Sequence, residues 1–144
     1  MGRIKVNRLI LILLTLSILG GATNAYSQKL IAHPGLKQTE LSEETVRALF
    51  TMRLRRWSDG TPVRVFVLPD RHPLHKDFAK KILGVFPHQL RRAWDRLVFS
   101  GTGQAPREVS DETEMLDRVS KTPGAVGYVS DNTRDERVRV VPMD

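Results

Sequence analysis

Apolar and polar residues along the chain alternate between two rhythms, short continuous or every-second-residue runs and a three-to-four-residue recurrence, with Pro or Gly at most of the switches. Residues 29–33 read as a short strand, ended by Pro34-Gly35, which cannot prolong a ladder. A helix is expected next. Ser42 stands where an N-cap belongs, Glu43 and Glu44 fall in the first turn, where the helix dipole favours acids, and Val46, Leu49 and Phe50 recur at helical spacing. Residues 57–62 form a turn cluster, and Val63, Val65 and Val67, with Arg64 and Phe66 between them, predict a mostly buried strand. Pro73 suits the first turn of a second helix, with Leu74, Phe78, Ala79, Ile82 and Leu83 inward and Gly84 closing it. Pro87 opens a third, whose apolar face is Leu90, Trp94, Leu97 and Val98, with Arg91, Arg92, Asp95 and Arg96 mostly outward. Ser110, with Asp111 and Glu112 behind it, starts a fourth, burying Met115, Leu116 and Val119. Strand signals resume over 125–129 and, after a polar turn at 130–136, at Val138, Val140 and Val141. The order β-α-β-α-α-α-β-β predicts a single α/β sandwich.

The first residues follow a different rule. Arg3, Lys5 and Arg8 precede an apolar run of about 11 residues and then the small residues Ala22-Thr23-Asn24-Ala25. A membrane-spanning helix needs roughly 20 apolar residues, so this segment reads as a signal peptide over 1–25, cut after Ala25, with one domain over 26–144. An exported, periplasmic or otherwise extracytoplasmic protein follows from it. The whole chain of 144 residues has a net charge of +7; removing the three basic residues of the leader leaves 20 Lys and Arg against 16 Asp and Glu, or +4. No Cys is present, which excludes disulfides, a Cys nucleophile and a Cys lipid anchor, so the domain must fold on its apolar core alone.

Several marker strings recur in order: Leu41-Ser42-Glu43-Glu44 running on to Leu49-Phe50, Trp57-Ser58-Asp59-Gly60, Gly101-Thr102-Gly103, and Thr122-Pro123-Gly124-Ala125-Val126-Gly127-Tyr128-Val129. In these the chain resembles the phosphate-binding proteins of ABC transporters, and more closely their short single-lobe relatives. The resemblance implies one lobe of a type II periplasmic-binding-protein-like fold, a mixed sheet flanked by helices. The markers also have a physical reading of their own: Trp57 beside the Asp59-Gly60 turn is expected to cover the core near the first helix, and Gly124 and Gly127 to allow close approach at a strand start.

In that family the matching lobe supplies an Arg and a Ser-Gly-Thr at a helix start, whose hydroxyls and backbone N–H groups hold the oxyanion. The matching segment here is Leu68-Pro69-Asp70-Arg71-His72-Pro73-Leu74-His75-Lys76-Asp77-Phe78, which contains no Ser or Thr, and Pro73 removes one N–H. What it offers an anion is a basic helix entrance, and Arg71, His72, His75 and Lys76 are the candidate ligand-binding residues.

Other chemistry is thin. Ser100-Gly101-Thr102-Gly103 follows a helix and lacks the Lys-Ser/Thr of a phosphate loop, so it reads as a turn. His72 and His75 with Asp70 and Asp77 are the nearest approach to a metal set, without a closed ligand pattern. No nucleophile elbow is present, and the acid pairs Glu43-Glu44 and Asp111-Glu112 sit in first helical turns, so no catalysis and no cofactor is expected. Nucleic acid is excluded as a partner by export. Two readings remain open: binding of phosphate or another small oxyanion, linked to an ABC transporter, or a lobe repurposed as a non-catalytic interaction or sensory module. Its partner would be a membrane transporter, a sensor protein or a second copy of the chain.

Overall fold

The computed structural model describes residues 27–144; the signal peptide expected over 1–25 lies outside the described residues. The elements run β1 (Gln28–Ala32), α1 (Glu43–Phe50), β2 (Arg64–Val67), α2 (Pro73–Phe78) continued by a π-helical turn (Ala79–Leu83), α3 (Pro87–Phe99), β3 (Arg107–Glu108), α4 (Glu112–Lys121), β4 (Ala125–Ser130) and β5 (Arg139–Val141). The five strands form one sheet in the order β3-β2-β4-β1-β5, with β2 parallel to β3 and β4, and β1 antiparallel to β4 and β5. This is the mixed sheet flanked by helices that was expected.

Central strand β4 explains how the layers form. Five of its six residues are buried, so both faces are covered. Successive side chains point to opposite faces. Gly127 lies under Met115 and Val119 of α4, whereas Tyr128 stacks on Phe78 of α2, with centroids 4.0 Å apart, and tilts against Phe50 of α1 at 5.9 Å. Trp94 of α3 joins the second layer by donating its indole N–H to the Phe50 carbonyl at 2.8 Å. Helices α1, α2 and α3 therefore cover one face and α4 the other.

The local signals act as their chemistry dictates. Ser42 accepts the Thr45 N–H and Asp111 accepts the Glu114 N–H, satisfying donors that α1 and α4 leave open at their starts. Gly84 closes the π-turn at φ 69°. Gly124 is held at φ 76°, and a Cβ there would lie 2.2 Å from the Pro62 carbonyl oxygen. Its own carbonyl accepts both the Arg64 N–H and the Trp57 indole N–H, each at 3.0 Å. This glycine thus joins the Trp57 turn, the start of β2 and the start of β4 at one point.

Three features depart from the expected pattern. β3 was not foreseen: both its residues are exposed and carry no apolar alternation, and the Val109 N–H donating to the Val67 carbonyl at 2.9 Å helps hold it on β2. The second helix is α-helical only to Phe78 and then widens into the π-turn, where the Arg47 side chain donates to the Ile82 carbonyl at 3.3 Å. Val98, expected on the apolar face of the third helix, is exposed, while Leu90 and Trp94 of that face are buried as expected. Among the described residues no helix is long and apolar enough to cross a membrane.

Gly124→Ala is expected to destabilise the domain by about 2 kcal/mol or more, because a left-handed backbone and a backbone clash coincide there. Urea unfolding of the variant should show a lower midpoint with an unchanged slope.

Candidate functional site

Strand β2 runs parallel to β4 from its start and to β3 at its carboxyl end, and ligands of open α/β sheets sit beyond such carboxyl ends. The chain leaving β2 passes through Leu68 and Pro69 to Asp70, Arg71 and His72, then enters α2. Its position is set by a buried hydroxyl. Tyr128 of β4 accepts the Leu68 N–H at 3.0 Å and is hydrogen-bonded to His75 Nδ1. A Tyr128 hydroxyl that donates in this bond leaves the His75 proton on Nε2, the nitrogen toward Asp70. That Nε2 is buried without a hydrogen-bond partner, 3.7 Å from Asp70 Oδ1.

Asp70 is held from the other side. Arg91 of α3 donates to both its carboxylate oxygens, Nε to Oδ2 at 3.0 Å and Nη2 to Oδ1 at 2.9 Å, and Nη2 also reaches Glu108 of β3 at 3.0 Å. The guanidinium lies 5.1 Å over the Trp94 ring. The Asp70 hydrogen bond, opposed by partial burial, raises the Arg91 pKa, so this charge is permanent. His75 is the opposite case: burial lowers its pKa from 6.5 to about 4, against the pull of Asp70 and with Arg91 and His72 adding to the fall. At neutral pH it carries no charge for an anion.

The four candidate residues therefore part company. Arg71 and Lys76 are exposed at the entrance of α2. His72 is half-buried and caps the helix, its Nδ1 accepting the Leu74 N–H at 3.1 Å. His75 is fully buried and faces Tyr128. At the helix start Pro73 has no N–H, the Leu74 N–H is engaged by His72, and the His72 N–H donates to the Pro69 carbonyl at 2.8 Å. Among the described residues no group of three His, Asp or Glu side chains is arranged to hold a metal ion, the set around His72 and His75 included.

The Ser100-Gly101-Thr102-Gly103 string is a helix end. The N–H groups of Gly101, Thr102 and Gly103 each donate at 3.1 Å to carbonyls of Val98 or Leu97 in the last turn of α3, which leaves none of these three for a phosphate. The loop borders a groove of about 430 Å³ with Arg55 and Arg64 at the opposite, amino-terminal end of β2.

Sequence reasoning passed over Tyr128, Arg91 and Glu108. Tyr128 had a signal, since a hydroxyl inside an otherwise apolar strand must find a partner. The pairing of Asp70 with Arg91, 21 positions apart, had none.

No family model matches the chain, and a search of curated proteins finds no match either. Solved structures do match. An ABC-type phosphate transport receptor from Vibrio cholerae superposes with a TM-score of 0.65 at 13% identity, over 81% of this chain and 46% of that one. PstS from Borrelia burgdorferi gives 0.64 at 14% identity, over 82% and 47%. A Clostridium perfringens protein solved with bound phosphate gives 0.64 at 17%, over 82% and 45%. The fold is that of a single lobe of a PstS-like periplasmic binding protein. This chain spans less than half the length of these neighbours, and at such identities the likeness concerns the fold alone.

Two outcomes follow for the buried pair. Tyr128→Phe leaves the Leu68 N–H and His75 Nδ1 without partners and is expected to cost about 2 kcal/mol in urea unfolding. The unfolded imidazole takes up its proton near pH 6.5 and the native one only near 4, so the unfolded state binds more protons between them. Stability is full above about pH 6.5 and falls as the pH drops toward 4, by roughly 3 kcal/mol for this group. In His75→Asn most of that fall should vanish from unfolding midpoints measured across this range.

Proposed function

We propose that this protein is an exported, non-catalytic binding lobe that docks on a protein partner in a transport or sensory assembly, and does not enclose a free oxyanion. Export is inferred from the leader over 1–25, with the working domain over 26–144. The observation that carries the reading is the state of the helix entrance. Where a PstS-like lobe would present donors, Pro73 has none, Leu74 is capped by His72, and His75 is neutral and turned into the core. The lobe is also single, and a single open surface does not exclude water from a small ligand as a cleft does.

A second reading rests on Arg71 and Lys76. Both are exposed at the entrance of α2 and neither has an ion-pair partner among the described residues, so an oxyanion such as phosphate would find two cations there.

Calorimetric titration of the domain with phosphate, sulfate and arsenate separates the two. The docking reading expects no saturable heat up to millimolar anion, in the parent protein and in Arg71→Ala alike. Saturable heat that Arg71→Ala abolishes would replace it with the oxyanion reading.

A further inference from the structure

Among the described residues four large apolar side chains stand exposed, and three of them, Phe86 at 53%, Val98 at 49% and Phe99 at 87%, belong to α3 or to the residue just before it. One exposed apolar residue is ordinary on a protein surface, but a phenylalanine as bare as Phe99, set among charged side chains, is not. Helical spacing shows how that face is built. Leu90 and Trp94 turn one side of α3 inward, and His88, Arg92, Asp95, Arg96 and Phe99 recur on the opposite side, all exposed. Arg92, Asp95, Arg96, Phe99 and Ser100 border one shallow concavity. At the other end Phe86 stacks on His88 with centroids 5.8 Å apart, and the Lys80 ammonium lies 6.0 Å from the Phe86 ring. The stripe is continuous along a helix of 13 residues, about 20 Å long.

Its cations are unpaired among the described residues, as Arg71 and Lys76 are at the entrance of α2. Lys81 pairs with Asp77 and Arg91 with Asp70, whereas Lys80, Arg92 and Arg96 have no carboxylate partner among the described residues. An aromatic anchor ringed by arginines is also the composition that protein interfaces favour.

We propose that the outward stripe of α3 is a docking surface for an acidic protein partner, with Phe99 seated in an apolar recess and Arg92 and Arg96 paired with the partner's carboxylates. The proposal rests on the docking reading above and gives it a surface. Charge selects the occupant: two unpaired cations, Arg92 and Arg96, border the concavity against one carboxylate, Asp95, and a third, Lys80, lies by Phe86 at the other end of the helix. Asp95 also selects protein over bilayer. It lies among the arginines, where lipid phosphates would repel it, while a protein surface supplies donors as well as acceptors. The apolar area is concentrated in the last turn, as an anchor for a pocket is.

A photo-reactive phenylalanine analogue placed at position 99 of the full chain, in cells of its native host, tests this. Separate variants carry the analogue at 71, 76 and 140. Position 99 should give a light-dependent adduct with one protein, cross-linked at a segment rich in Asp or Glu, and position 140 should give none. Arg92→Glu with Arg96→Glu should reduce the yield about tenfold or more, while thermal melting of the purified variant stays at the parent temperature, since both residues are exposed. Absence of an adduct at 99, an adduct there only with lipid or with a second copy of the chain, or a yield that ignores the charge reversal would overturn the proposal. An adduct at 71 or 76 but not at 99 would overturn this surface and leave the docking lobe standing; no protein adduct at any of the four would remove both.

Discussion

One hydroxyl sets the geometry of the whole strand-end region. Tyr128 sits in the most buried strand of the sheet, where an unpaired polar group is costly, and it is satisfied from two directions at once. The Leu68 N–H ties it to the exit of β2, and the imidazole of His75 ties it to α2. Because α2 is short, this contact does much to fix its rotation, and with it which residues of the entrance face water. Arg71 and Lys76 are left outside, and His75 is drawn in. Asp70 then lies within reach of Arg91, and Glu108 on β3 completes the ion-pair group at the lip.

The same arrangement changes what a helix entrance is for. A helix start attracts anions when its N–H groups point into open space and the neighbouring cations are charged. In α2 a proline lacks one N–H, a histidine side chain occupies the next, and the cation nearest the core is neutral and buried. The N–H groups of His72 and Leu74 are satisfied within the entrance itself. What the lobe presents outward is side-chain charge and apolar area on its helices.

Much of the fold was legible in the sequence because its signals are local. Ser42 caps, Gly84 and Gly124 take backbone conformations that other residues avoid, and helical spacing marked Leu90 and Trp94 as core. β3 left no such trace, since Arg107 and Glu108 are strand only by virtue of a neighbour's backbone. The candidate site was legible in outline. His75 could have been assigned to the interior from spacing alone, because it stands three residues before Phe78 on the same helix face. Read as one cation among four, it was placed by its chemistry when its position should have decided. The grip of Arg91 on Asp70 joins residues from separate elements, and no local pattern announces such a pair.

The π-turn after α2 carries a further consequence, one of phase. Leu83 stands five positions after Phe78, a spacing that in a regular α-helix turns side chains about 140° apart. In the wider turn, position five comes round beneath position zero, and both residues are buried. The segment thus holds one more residue than a regular helix would need to reach the same core contact. Both apolar footholds, Phe78 and Leu83, are reached before Gly84 turns the chain toward α3 at φ 69°.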